Sequence, residues 1–244
     1  MVKLAPARKT FFSQNDPARR RFLLSGTPVL VALLSLPPLA EAQNPPSTIA
    51  AAGEQESGTI LRRGTNELGG WAGFSPFSFV IKGTSLDRKL FLLNLQYART
   101  LFATKAVTLK YTAEIVPAAV EIQPTQVYEI GGEPLVNPSG SIYAAGASPI
   151  GFQGNLGRKR IQPFANGSVG FLYFTQQVPV IGSSQFNYTV SIGFGAQFFR
   201  SSGRSFSMGW KYFHLSNNYQ APLNPGIDSG VFYAGFSIMR GGGR

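Results

Sequence analysis

The sequence holds no cysteine and a single histidine, His214. Disulfide frameworks, thiolate metal centres and cysteine nucleophiles are excluded together. Sites that need several imidazoles for zinc or iron are excluded with them. Charge is scarce as well: Asp, Glu, Lys and Arg make up 14% of the 244 residues, against about 25% in an ordinary soluble domain. Mean hydropathy is close to zero, so the shortage of charge does not come from a bundle of membrane helices. What the chain has instead is 28 glycines and 20 phenylalanines. Few charges, many aromatics and much glycine fit a β-rich protein, a membrane barrel among them. No metal or cofactor is implied.

The one long apolar run lies near the N-terminus. Lys3, Arg8, Lys9, Arg19, Arg20 and Arg21 precede Phe22 to Leu36, and Ala40-Glu41-Ala42 follows as a small-x-small cleavage site. Residues 1–42 therefore read as a secretory signal peptide. A transmembrane anchor is the rival reading, but Ser25, Gly26, Thr27 and Pro28 interrupt the run and Pro37-Pro38 ends it, which leaves it short and broken for a span. Arg19-Arg20-Arg21-Phe22-Leu23 resembles a twin-arginine signal. That route carries folded cargo, whereas a barrel must arrive unfolded, so the general secretory route is favoured. Residues 43–66 lack any pattern and read as a flexible lead-in, leaving 67–244 for the folded part. Without the signal the chain keeps 16 basic and 9 acidic residues, a net charge of +7. The only dense basic run, Arg158-Lys159-Arg160, reads as a solvated turn rather than a nucleic-acid patch.

From about residue 68 the side chains alternate with a period of two, the mark of strands. Phe186, Tyr188, Val190, Ile192, Phe194, Ala196 and Phe198 share one face, and Asn187, Thr189, Ser191, Gly193, Gly195 and Gln197 the other. Val107, Leu109, Tyr111, Ala113 and Ile115 oppose Thr108, Lys110, Thr112 and Glu114 in the same way. In 161–173, Phe164 and Leu172 break an otherwise similar pattern. Eight strands are expected, over 68–79, 88–102, 106–122, 141–153, 160–174, 186–200, 204–217 and 229–239. Many exceed the usual five or six residues of soluble sheets and are long enough to cross a bilayer with tilt. Short connections alternate with long ones. These features predict an all-β fold, an eight-stranded antiparallel transmembrane β-barrel of outer-membrane type, polar inside and aromatic toward lipid. A soluble β-sandwich or lipocalin-like barrel is the alternative, with the apolar face turned inward.

His214 and Ser216 are two apart on one expected strand, so both point to the same face, their Cα atoms roughly 6.5–7 Å apart. An imidazole can activate a serine hydroxyl across such a gap. Asp228 begins the next strand across a hairpin, where a carboxylate can orient the ring. By parity all three fall on the apolar face, at the loop end of their strands. Polar groups there need one another or lipid headgroups, a placement suited to a hydrolase acting on membrane lipid. Interfacial polar residues without chemistry are the plainer reading, because H-x-S is a short motif.

His214-Leu215-Ser216-Asn217, followed by Asn224-Pro225-Gly226-Ile227-Asp228, resembles the PagL family of outer-membrane lipid A 3-O-deacylases, relatives of the acyloxyacyl hydrolases. The resemblance implies an eight-stranded barrel with a serine-hydrolase triad: His214 as general base, Ser216 as nucleophile and Asp228 as the acidic partner. It implies an oxyanion or substrate-binding role for Asn224 and for Asn217 with the neighbouring backbone N–H groups. The sequence departs from the family pattern at two places. Asp228 stands where the best-known member has Glu, and Tyr219 where the family's H-x-S-N-A-G has its Gly. The resemblance further implies an exported bacterial outer-membrane esterase that takes an acyl chain from lipid A of lipopolysaccharide, with no nucleic-acid partner and with homodimerisation left open. Lys82, Arg88 and Lys89, near the first long connection, would meet either lipid A phosphates or the membrane interface. The alternative function is a non-catalytic small barrel that binds lipid or has a structural role.

Overall fold

Alternating residues become strands because a strand sends successive side chains to opposite faces, and each face here has its own solvent. The computed structural model describes residues 61–130, 133–200 and 202–241. The expected signal peptide and residues 43–60 of the expected lead-in lie outside the described residues. Within them the strands are β1 (Asn66–Ser75), β2 (Ser78–Phe79), β3 (Lys89–Ala103), β4 (Val107–Gln123), β5 (Gln126–Ile130), β6 (Glu133–Asn137), β7 (Gly140–Leu156), β8 (Ile161–Val178), β9 (Ser184–Arg200), β10 (Arg204–Ser216) and β11 (Ile227–Arg240). The long strands run β1-β3-β4-β7-β8-β9-β10-β11, and β1 pairs with β11 to close the sheet. Every pairing in the ring is antiparallel. The fold is the expected eight-stranded antiparallel barrel.

The differences in detail have local causes. The expected strand over 68–79 is split, because Pro76 has no N–H for the ladder; β1 stops at Ser75 and the short β2 resumes beside β11. The connection 123–140 is itself a hairpin, β5 with β6, and its sequence cue is the dipeptide Gly131-Gly132. Pro117 and Pro149 sit inside long strands, where the register slips between Val116 and Ala119 and between Ala147 and Ile150. The last residues of the expected lead-in are tied to the barrel: Leu61 and Thr65 are buried, and Gly64 N–H donates to the Thr100 carbonyl at 2.9 Å.

The two faces separate as the alternation requires. Phe194 is 62% and Ile192 63% exposed, while Ser191 and Gln197 are buried in the lumen. A band of such exposed apolar side chains is stable only against lipid. Inside, the end with the short turns is polar. Lys110 Nζ lies 2.9 Å from Glu67 Oε1 and 2.8 Å from Gln197 Oε1, so the buried charges are paired and hydrogen-bonded. Midway, the Lys211 ammonium sits 4.0 Å over the Trp71 ring and 4.7 Å over Tyr233. Toward the long connections the lumen is mostly apolar, with Leu90, Leu92, Leu172, Phe174, Phe213 and Val231 packed together beside a buried Arg88–Glu121 ion pair. Phe164 and Leu172, which interrupt the alternation of β8, point inward. The interior is therefore only half polar, and its outer half is a packed core that stiffens the strand ends carrying the site.

Candidate active site

The hairpin between β10 and β11 sets the geometry. His214 and Asp228 are direct cross-strand partners, and side chains so paired have Cβ atoms about 4.5–5.5 Å apart. A short acid suffices at that spacing: His214 Nδ1 lies 2.6 Å from Asp228 Oδ1. Tyr212, two residues earlier on the same face, donates its hydroxyl to the same oxygen at 2.7 Å. The other carboxylate oxygen, Oδ2, accepts three successive backbone N–H groups, from Ile81 at 2.7 Å, Lys82 at 2.7 Å and Gly83 at 2.8 Å. Asp228 is completely buried, whereas the His214 side chain keeps 17% of its surface. A buried carboxylate costs several kcal/mol unless donors surround it, and here five do.

Those three donors come from a strap, residues 78–88, that pairs with the start of β11 through Ser78 and Phe79 and bridges Ile227 at Ser85. Ser78 Oγ donates to the Ser85 carbonyl at 2.7 Å and accepts the Arg88 N–H at 3.0 Å, pinching the strap at its base. Thr84 N–H donates to the Pro225 carbonyl at 2.6 Å and Ser85 N–H to the Gly226 carbonyl at 3.2 Å. The approach needs two glycines: a Cβ on Gly83 would lie 2.7 Å from the Gly226 carbonyl carbon. Arg88 ends the strap inside the barrel. It is fully buried, and its guanidinium bonds Glu121 at 2.9 Å and Gln126 at 3.0 Å. The expectation that Arg88 meets lipid A phosphates is thereby corrected, since lumen carboxylate and amide groups hold its charge. Lys82 and Lys89 are exposed.

Ser216, last in β10, lies on the same face as His214. Asn218 N–H reaches its Oγ at 3.1 Å, and the Asn224 amide lies beside it with Oδ1 at 3.1 Å and Nδ2 at 3.0 Å. Asn217 N–H donates to Asn224 Oδ1 at 3.1 Å, which fixes the amide's orientation. Asn217 is fully buried, and its side chain donates to the Leu223 carbonyl at 2.8 Å. The turn 217–220 closes through Gln220 N–H to the Asn217 carbonyl at 3.1 Å. Its central residues, Asn218 at φ 52° and Tyr219 at φ 60°, are both left-handed, as in a type I′ turn. Tyr219 thus takes the backbone shape that a glycine adopts without strain.

The structure brings His214 to Asp228 and Ser216 to Asn217 and Asn224. Among the described residues no hydrogen bond joins His214 to Ser216, whose hydroxyl is turned to Asn224. Sequence reasoning missed Tyr212 and the strap 81–83. Tyr212 shared a face with His214, which was a usable cue. The strap offered none, because backbone N–H groups are the same in every sequence.

The sequence model of the family described as lipid A 3-O-deacylase (PagL) matches residues 93–237. No match was found among curated proteins. Among solved structures, the chain is similar to the outer-membrane enzyme PagL, with 19% identity, a TM-score of 0.47, and coverage of 69% of this chain and 97% of that one. It is also similar to Neisserial surface protein A, at 10% identity and a TM-score of 0.45 over 73% of this chain and 98% of that one. The outer-membrane protein OprG from Pseudomonas aeruginosa gives 15% identity and a TM-score of 0.45 over 74% and 98%.

Proposed function

The chain belongs to the lipid A 3-O-deacylase (PagL) family and resides in the bacterial outer membrane, and from that premise we propose that it is a serine esterase that removes an ester-linked acyl chain from lipid A. The observation that carries this reading is the His214–Asp228 contact of 2.6 Å with Ser216 two residues along the same face. His214 Nδ1 donates to Asp228, which leaves Nε2 as the base. Rotation of the Ser216 side chain away from Asn224 brings its hydroxyl toward that nitrogen; such contacts commonly tighten only when substrate binds. Ser216 Oγ then attacks the ester carbonyl carbon as its proton passes to His214. The developing oxyanion is met by the Asn224 amide, with the Asn217 side chain holding that segment, and by N–H groups of the 217–219 turn. Collapse returns the proton to the departing sugar hydroxyl. Water then attacks the acyl-enzyme, His214 taking its proton and passing it to Ser216 Oγ as the Oγ–acyl bond breaks and the fatty acid leaves.

The placement supports the same reading. The serine lies at the outer end of β10, on the lipid-facing side, where an ester of an outer-leaflet lipid is within reach. Mass spectrometry of lipid A from cells with and without the protein tests it. The expected result is loss of one ester-linked acyl chain only when the active protein is present, and its absence with Ser216→Ala. Unchanged lipid A would leave the non-catalytic barrel as the better account.

A further inference from the structure

The charges of this barrel are sorted by end. Every connection at the short-turn end carries cations: Lys105 between β3 and β4, Arg158-Lys159-Arg160 between β7 and β8, and Arg200 with Arg204 on either side of the β9–β10 turn. Arg62 and Arg63 stand exposed just before β1. Arg99 and Arg240, both exposed, are each register partners of Asn66, so they flank the first residue of β1 at one height. Arg200 and Arg204 are direct cross-strand partners, two cations side by side. Apart from the half-buried Arg158, these side chains are exposed. Among the described residues no acidic side chain is exposed at this end. Glu67 is there, but it is buried and paired with Lys110. The opposite end is mixed, with Lys82, Asp87 and Lys89 exposed.

Exposed cations of one sign, Arg62, Arg63, Lys105, Lys159 and Arg204 among them, create a positive potential at this end that an anionic surface complements. In an eight-stranded barrel with both ends of the sheet at the short turns, this ring lies on the periplasmic side, at the level of the inner-leaflet headgroups. Arg and Lys stems can lie along the lipid while their heads reach the phosphates. We propose that this rim is a binding surface for anionic phospholipids, anchoring the barrel in the inner leaflet and setting its depth and tilt. Arg158-Lys159-Arg160 is then part of an interface rather than a merely solvated turn. The proposal is independent of any catalytic role for Ser216.

The test uses the mature protein in detergent with equimolar phosphatidylglycerol and phosphatidylcholine, the lipids retained being counted by native mass spectrometry. Wild type should retain phosphatidylglycerol in about fivefold or greater excess, falling toward parity in about 0.5 M salt as screening shortens the reach of the charges. Replacing Arg158, Lys159, Arg160, Arg200 and Arg204 together by Gln should bring retention to parity, while Lys82→Gln with Lys89→Gln should keep the excess. Equal retention by wild type, a preference that ignores salt, or one abolished by the outer-end pair overturns the proposal. So does binding to peptidoglycan sacculi without any lipid preference. If the five-residue variant does not fold, the salt series and the outer-end pair decide.

Discussion

Gly83 and Gly226 meet backbone to backbone: a Cβ on Gly83 would stand 2.7 Å from the Gly226 carbonyl carbon and 2.8 Å from its oxygen. No side-chain rotation relieves a clash with backbone. Gly83→Ala must therefore lift the strap, and with it the N–H groups that hold Asp228 Oδ2. We expect deacylation to fall about 10- to 100-fold, the scale set by ångström misplacement of catalytic groups. Thr84→Ala, which removes only an exposed hydroxyl contact to Pro225, should stay near wild type. Both variants should keep the heat-modifiable gel mobility of a folded barrel. A fully active Gly83→Ala would mean that the strap is dispensable.

Ser216→Ala and His214→Ala should each abolish turnover without unfolding the barrel, because both lie outside its packed interior. Groups that act as a unit lose their joint effect at the first deletion, so the double variant should be little worse than either single one. Initial rates on purified lipid A are the measurement. Wild-type turnover by Ser216→Ala would remove the nucleophile from the scheme.

The alternation in 186–198 and 106–116 sorted the side chains into two faces, and only the membrane barrel, as against a soluble one with its apolar face inward, decides which of the two meets the lumen. Leu172 looked like an exception, and the apolar side chains of the outer lumen explain it; Phe164, level with Asn155 and Gly195 nearer the short turns, fills the space that Gly195 leaves without a side chain. That layering depends on which residues of eight strands come level, and register is not written in any one strand. The pairing of His214 with Asp228 was legible from a hairpin and parity. The surroundings of Asp228 were not. Its three N–H donors come from residues 145 to 147 positions away, and their chemistry is the backbone's own. Arg88 shows the same limit from the other side. Its place at the start of an expected strand, beside the first long connection, suggested lipid A phosphates or the membrane interface, but it turns inward to Glu121.

Asp228 is expected to tolerate change poorly, in contrast to what its helper role alone suggests. Asn at this position presents one acceptor oxygen to five donors, and its own NH2 must face either the strap N–H groups or Tyr212 and His214. Glu adds a methylene to a site with no exposed surface, where overpacking costs about 1–3 kcal/mol. Both variants should lose activity, and limited proteolysis should show the strap cut faster in Asp228→Asn than in wild type. Tyr212→Phe removes one donor and leaves the shape, so a loss of roughly threefold to tenfold in kcat with KM unchanged is expected. A wild-type rate together with a protected strap in Asp228→Asn would show that the third member of the triad lies elsewhere.

Tyr219 tests whether the turn, rather than the residue, is what the site requires. At φ 60° a residue with a Cβ costs about 1–2 kcal/mol that glycine does not, and the Tyr219 side chain, 64% exposed, has little packing to offset it. Tyr219→Gly should therefore keep the turn. Glycine's larger unfolded-state entropy opposes the relief of strain by about 0.4–1 kcal/mol, so stability should rise slightly or stay level. Activity should be retained, since Asn218 N–H stays 3.1 Å from Ser216 Oγ and the N–H groups of 217–219 keep their direction. Tyr219→Val is the opposing probe. A β-branched residue is a genuine outlier in the left-handed region, so the turn must open, Asn218 must move and turnover should drop with it. Rates on lipid A and unfolding midpoints for the two variants separate the possibilities. A loss of activity in Tyr219→Gly with an intact turn would show that the aromatic ring itself holds substrate at the membrane surface.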